Sequence, residues 1–200
     1  MKILNLYAGI GGNRMLWGDE HDITAVEFNK SVADCYKDLY TNDNVIVGDA
    51  HEYLLEHYHE FDFIWASPPC QSHSKARACG VWSNQVKAVY PDMRLYQEII
   101  LLQKFGKGNW VVENVLPYYK PLISPSFTIG RHHFWSNKFL INSDFIQSSA
   151  HHQNIKELEK RKCVDLSNYK FVDVSKKQVL RNMVEPELGK YIFEKITGSK

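Results

Sequence analysis

Two hundred residues suffice for one globular domain with a sizeable core and leave little room for two. With 44% hydrophobic and 24% charged residues the composition is that of an ordinary soluble fold, and no apolar run approaches the roughly 20 residues of a membrane helix. Four cysteines without CxxC spacing (Cys35, Cys70, Cys79, Cys163) exclude a disulfide framework and fit reduced thiols inside a cell. The start, MKILNLYAG, enters a strand-like pattern directly, so no signal peptide is expected. The net charge of +1 conceals an asymmetry: residues 1–72 hold 4 Lys/Arg against 12 Asp/Glu, whereas residues 151–200 hold 11 against 7. A basic back half suits a polyanion, although solvated faces account for the same charges equally well.

In chain order, Ile3–Leu6 reads as a strand, followed by glycine-rich punctuation and a short helix near Asn13–Trp17. Ile23–Glu27 is the next strand, Ser31–Leu39 a helix, Asn44–Val47 a third strand and Glu52–His57 a helix. Phe61–Ala66 is a fourth strand, Met93–Phe105 carries apolar residues at helical spacing, and Trp110–Val112 is a fifth strand. Beyond lie short strand candidates at Phe127–Ile129, His133–Trp135 and Phe139–Ile141, and a polar, mixed stretch at 142–173. Helices are expected at Lys176–Met183 and Pro186–Ile196, with Pro186 in a first turn and Leu188, Ile192 and Ile196 on one face. Strand–helix alternation implies an α/β, Rossmann-like fold with a mostly parallel sheet and helices on both faces. Such sheets bind ligands at the carboxyl ends of their strands.

Those ends carry the informative residues. Tyr7-Ala8-Gly9-Ile10-Gly11-Gly12 follows the first strand, where glycines let the backbone turn tightly and approach a ligand. A helix beginning just beyond it would favour an anionic group. Alone the loop fits any nucleotide-like ligand or a simple tight turn, and it lacks both the GxGxxG and GK[ST] spacings. Glu27 ends the second strand, where a carboxylate can accept both ribose hydroxyls, with Phe28 beside it to stack on adenine. Asp49, in Gly48-Asp49-Ala50, ends the third and can accept from an adenine amino group. Together they favour an adenosine-type cofactor. After the fourth strand, Ser67-Pro68-Pro69-Cys70-Gln71-Ser72 stiffens a loop with two prolines and so holds the cysteine in place. A thiolate there is a nucleophile. Glu113-Asn114-Val115 ends the fifth strand, next to that loop, where a carboxyl group can hydrogen-bond a base.

In this order the motifs resemble the DNA cytosine-5 methyltransferase family across nearly the whole chain. Tyr7–Gly12 resembles its cofactor loop, Glu27-Phe28 its ribose and adenine contacts, and Asp49-Ala50 a further adenine contact. Pro69-Cys70-Gln71 is similar to its catalytic-cysteine motif, with Pro68 beside the cofactor, and Glu113-Asn114-Val115 to its Glu-Asn-Val motif. Asn182-Met183-Val184-Glu185-Pro186 resembles the segment that closes over the cofactor. The resemblance implies S-adenosylmethionine as cofactor, DNA as partner with the target cytosine flipped out of the duplex, and no metal. It implies Cys70, Glu113 and Arg131 as catalytic residues. It also implies the cytoplasm of a bacterium or of a virus-infected bacterial host, with restriction-modification as one setting.

The sequence departs from the family in four places. Ile129-Gly130-Arg131-His132-His133 matches a Gln-x-Arg-x-Arg segment with Arg131 at the first arginine and His133 at the second, and an imidazole does not reproduce a guanidinium. His73 stands where phenylalanine is frequent, and Glu185 where proline is usual. The recognition insertion shrinks to about 137–177, which includes His151-His152 and a basic cluster, Lys160-Arg161-Lys162, expected to contact phosphates or to be a solvated helix end. The whole chain, 1–200, then reads as one catalytic domain with short or relaxed sequence specificity or an accessory partner that supplies it. Two alternatives stay open: an RNA cytosine-5 methyltransferase and a non-catalytic S-adenosylmethionine-binding module. A zinc deaminase does not fit, since the H-x-E and P-C-x-x-C signatures are missing.

Overall fold

The computed structural model describes residues 1–140 and 154–198. Five parallel strands come first: β1 (Lys2–Leu6), β2 (Asp22–Glu27), β3 (Asn44–Val47), β4 (Phe63–Ala66) and β5 (Asn109–Val115). Two more, β6 (Phe127–Ile129) and β7 (His132–Ser136), complete a sheet of order β3-β2-β1-β4-β5-β7-β6 in which β7 runs antiparallel to both neighbours. The helices are α1 (Lys30–Leu39), α2 (Ala50–His57), α3 (Lys75–Trp82), α4 (Arg94–Phe105), α5 (Ile155–Arg161), α6 (Lys176–Asn182) and α7 (Pro186–Thr197).

Strand pleating sorts the core into two faces. Leu4, Leu6, Val26, Ile64, Ala66 and Val112 point toward Leu54 of α2 and Leu95, Ile99 and Leu102 of α4. Ile3, Ile23, Phe63, Trp65 and Val111 point the other way, toward Leu188, Ile192, Phe193 and Ile196 of α7 and the indole of Trp17. These side chains are nearly all under 5% exposed, and burying each large one contributes roughly 1.5–3 kcal/mol. A third cluster joins Ile10 and α1 (Val32, Cys35) to Leu158, Val164, Leu166, Val179, Leu180 and Met183. Residues 155–183 therefore pack into the domain beside the glycine loop.

Three expectations are corrected. Asn13–Trp17 forms no α-helix; successive turns run from Gly11 N–H to Ala8 O, Arg14 N–H to Gly11 O and Trp17 N–H to Arg14 O. The side chains there serve tertiary ends: Asn13 pairs with Asn5 of β1, and Arg14, 2% exposed, makes two hydrogen bonds to Asp43 at 2.9 and 3.0 Å. Phe139 and Leu140 form no strand, and Ile141, like His151-His152, lies outside the described residues. Helices α3 and α5 are additional to the elements expected.

The Arg14–Asp43 pair is buried on both sides, and Asp43 also accepts from the Tyr36 hydroxyl at 2.7 Å. Removing Asp43 leaves the buried guanidinium with only the largely exposed Asp19 carboxylate at 3.1 Å, so Asp43→Ala is expected to cost about 3–5 kcal/mol of stability, read from the urea midpoint. A midpoint shift equivalent to under about 1 kcal/mol would show that the pair is dispensable.

Candidate active site

The chain builds outward from β1 to β3 and returns to place β4 on the other side of β1. The ends of β1 and β4 thus lie side by side at the point where strand order reverses, the usual place for a ligand. Leu6 pairs with Ala66, and Ser67 N–H reaches Leu6 O at 3.4 Å.

On the β1 side, Tyr7 and Gly9 take φ of +55° and Gly11 +76°. At Gly9 a Cβ would meet nothing within 4 Å, so the left-handed backbone borders open space that a ligand can enter. Gly12 is a close approach instead: its Cβ would fall 2.3 Å from Val184 O and 2.4 Å from Met183 Cγ. The segment expected to close over the cofactor thus already rests on the glycine loop, with Asn182 exposed one residue before it. Ala8 is buried and anchors the loop through its N–H to Val26 O at 3.1 Å.

Glu27 spans the loop and the start of α1, accepting from Gly9 N–H and Asn29 N–H, both at 2.9 Å. Burial pushes its carboxyl above the ordinary value, against the pull of these backbone donors. Each carboxylate oxygen keeps lone-pair capacity for a hydroxyl. Phe28 is 78% exposed beside it, an apolar face free to stack. Asp49 caps α2 through His51 N–H at 2.8 Å and pairs with Arg94 at 3.1 Å, while Ala50 is buried in the first turn. For Asp49 burial works upward, but the His51 N–H and the guanidinium outweigh it and leave the carboxyl below its usual value. The loop opening at Gly9, the ribose-ready carboxylate and the exposed ring fit an adenosine-type cofactor.

Beneath this half lies a cluster that sequence reading missed. Glu98 of α4 is 1% exposed and accepts from the Tyr7 hydroxyl and from His51 Nδ1 at 2.9 Å. Burial raises the Glu98 carboxyl, and its hydrogen bond to His51 raises that imidazole. One acid inside a helical apolar stripe is the signal that marked it in the sequence.

On the β4 side, Asn114 is 2% exposed and its Nδ2 donates to Pro68 O at 2.9 Å. That bond ties the buried Pro68 to β5 and sets the Cys70 loop against Glu113. Downstream, His73 N–H and Ser74 N–H donate to Cys70 O at 3.0 and 3.1 Å. The half-buried Cys70 thiol is pushed up to about 11, by burial first and by the Glu113 carboxylate second. Glu113 stands opposite Phe134 in the β5–β7 register, and the imidazole beside it is His132, Nε2 to Oε1 3.5 Å. Arg131 is exposed at the β6–β7 turn, its carbonyl accepting from Leu116 N–H at 2.9 Å. His133 points to the face of β7 opposite His132 and bonds Thr128 Oγ1 at 2.8 Å.

The basic cluster is also corrected. Only Lys160 is exposed; Lys162 is 2% exposed and donates to Met183 O, with Glu185 at 3.2 Å. Arg161 pairs with the same Glu185 oxygen. Burial lowers the Lys162 ammonium, and Glu185 opposes that shift. Glu185 accounts for this pair: a buried cation needs a partner.

No group of three or more His, Cys, Asp or Glu positioned to hold a metal occurs among the described residues, nor does a helix long and apolar enough to cross a membrane. A search of curated proteins found no match. Among solved structures, a SAM-dependent methyltransferase from Agrobacterium tumefaciens is 13% identical with TM-score 0.44, covering 60% of this chain and 40% of that one. The putative methyltransferase yhhF from Escherichia coli is 18% identical with TM-score 0.44, covering 68% and 73%. DNMT2 from Spodoptera frugiperda is 26% identical with TM-score 0.39, covering 57% and 35%. The chain therefore spans less than half of the Agrobacterium and Spodoptera proteins. A family model described as C-5 cytosine-specific DNA methylase matches residues 1–121, from β1 past the Glu-Asn-Val strand end and over more than half of the chain, so the chain belongs to the C-5 cytosine-specific DNA methylase family.

Proposed function

We propose that this protein transfers a methyl group from S-adenosylmethionine to carbon 5 of cytosine in DNA through a covalent adduct on Cys70. The observation that carries this reading is the Asn114–Pro68 hydrogen bond, which sets the Cys70 loop beside Glu113 at the ends of adjacent strands. Tyr7, Ala8, Gly9, Gly11 and Gly12 hold the cofactor on the β1 side, together with Glu27, Phe28, Asp49 and Ala50. Pro68 and Asn182 border it from the β4 loop and the end of α6. When bound, the cofactor supplies an electrophilic methyl group.

The protein's own residues do the rest. A cytosine flipped from the stack enters between β4 and β5. The Cys70 thiolate adds to carbon 6, forming a carbon–sulfur bond and pushing electron density to carbon 5. Glu113 hydrogen-bonds ring nitrogen 3 and stabilises the adduct, with His132 and Arg131 on the strand pair beside it. After carbon 5 is methylated, loss of its proton to a base expels Cys70 and restores the aromatic ring.

Labelled methyl from S-adenosylmethionine is expected to enter unmodified duplex DNA as 5-methylcytosine, and Cys70→Ser to abolish the transfer while cofactor affinity persists. Label entering RNA alone, or full turnover by Cys70→Ser, would refute the substrate or the covalent step respectively. Glu27→Ala is expected to weaken cofactor binding by about 1–3 kcal/mol in calorimetry, because a ribose partner is lost; unchanged affinity would remove Glu27 from the site.

With its pKa near 11, the Cys70 thiol gains thiolate steadily as pH rises toward that value. Iodoacetamide labelling of the Cys70 peptide should therefore quicken about tenfold per pH unit between pH 7 and 9. A plateau before pH 9 would contradict the burial argument.

A further inference from the structure

His73 has no part in the methyl-transfer chemistry above, yet it is 1% exposed three residues beyond Cys70. Its main chain is bonded on both sides, the N–H to Cys70 O at 3.0 Å and the carbonyl from Tyr118 N–H at 3.1 Å. Its Nδ1 lies 2.5 Å from the Tyr119 hydroxyl. That hydroxyl is 3.4 Å from the hydroxyl of Tyr96 on α4, which in turn accepts from Leu122 N–H at 3.2 Å. The flanking residues follow suit: Ser72 Oγ accepts from Asp92 N–H at 2.9 Å, and Ser74 forms a bridge with Pro117.

An imidazole is a costly filler for such a place. Its Nε2 is buried without a hydrogen-bond partner, and burying an unpaired polar atom is destabilising. An apolar side chain would fill the place without that cost. What it lacks is the bond to Tyr119. Burial holds the imidazole below its ordinary pKa, with Asp92 at the entry to α4 opposing, so the ring is neutral near pH 7. The groups facing it are Asp92, Tyr96 and Tyr119; burial raises the Tyr119 hydroxyl, which keeps its proton and shares a hydrogen bond with Nδ1 whose direction follows the imidazole tautomer.

We propose that His73 is a positioning residue for Cys70, holding the downstream flank of the nucleophile loop through Tyr119 as Asn114 holds the upstream flank through Pro68. With Pro68 tied to β5 and residues 72–74 tied to 117–119 and Asp92, Cys70 sits at the middle of a span anchored at both ends. Losing one anchor frees the thiol to wander, and a misplacement of about 1 Å at a reacting atom can cost on the order of 100-fold in rate.

This inference rests on Cys70 being the nucleophile, so its test uses two readouts: methyl-transfer kinetics and iodoacetamide labelling of the Cys70 peptide, which needs no turnover. In the full chain, His73→Leu is expected to lower kcat by about tenfold or more with KM for S-adenosylmethionine within about twofold. The same change should quicken Cys70 labelling several-fold, because a loosened loop relieves the burial that suppresses the thiolate. His73→Asn, whose amide reaches the place of Nδ1, should recover most of both properties. Tyr119→Phe, which keeps the ring and removes the hydroxyl, should shift both in the direction of His73→Leu, and it carries the test if His73→Leu fails to fold. Unchanged kcat and labelling in Tyr119→Phe would overturn the proposal. So would a loss of kcat matched by an equal loss of cofactor binding that His73→Asn does not restore. If the wild-type protein methylates neither DNA nor RNA, the functional reading falls, while the labelling series still decides the role of His73.

Discussion

The contact on which the site depends is made by one side chain, Asn114, reaching across from β5 to the Pro68 carbonyl. Parallel strands bring β4 and β5 together, but pleating fixes only the strands; the loop beyond Ala66 must be tied separately. Pro68 has no N–H to offer, so its carbonyl is the group through which that residue can be held. Asn114 is fully buried and meets that need, while its Oδ1 takes the N–H of Val115 at 3.0 Å. The neighbouring Glu113 then faces the opposite side of β5. Adjacent residues of one strand thus divide the labour: one holds the Cys70 loop and the other presents a carboxylate.

Where local pattern and tertiary demand agree, the sequence was readable. Asn44–Val47 and Phe127–Ile129 have the bounds that their β-branched and aromatic residues imply. α7 begins at Pro186 and buries the stripe of Leu188, Ile192 and Ile196. The failures come where distant partners decide. Asn13 and Arg14 fit a short helix, yet Arg14 is claimed by Asp43, 29 residues away, and the chain turns to deliver it. α3 buries only Ala78 and carries Gly80, so it leaves almost no periodic trace. α5 did leave a signal, the capping box Asn154-x-x-Glu157, which apolar periodicity does not weigh. The motif spacing located the strand-end site residues by chain position, but not the neighbour of Glu113. That neighbour is His132 because of the register of β7 against β5, a long-range property that no local motif encodes.

The departures from the family pattern become physically connected once buried charge is considered. The Glu185 carboxylate neutralises Arg161 and the buried Lys162. Leaving Lys162 unpaired would be costly, so Glu185 and the inward-turned Lys162 that follows α5 belong together. Lys162 also donates to the carbonyl of Met183, and Met183 and Val184 fill the space left by the missing side chain of Gly12.

A path of contacts therefore runs from Lys162 to the cofactor loop, Lys162 to Met183 and Met183 to Gly12, and the loop is tied in turn to β2 by Gly9 N–H to Glu27. Packing reinforces it, because Leu158 and Val164 share a core with Ile10 in that loop and with Val32 of α1. An insertion hung on the surface would offer its basic residues to a polyanion. Here Lys162 is spent inward and Arg161 is paired, so the described part of the segment acts as a wall of the cofactor half. Lys75, Arg77 and Lys87, in contrast, lie in the stretch that follows the Cys70 loop, with the 75%-exposed Trp82 and the 96%-exposed Tyr90 among them. Positive charge interleaved with exposed aromatic surface is the composition that tracks a nucleic-acid strand. In this fold that composition adjoins the Cys70 loop, while residues 155–183 pack beside the glycine loop.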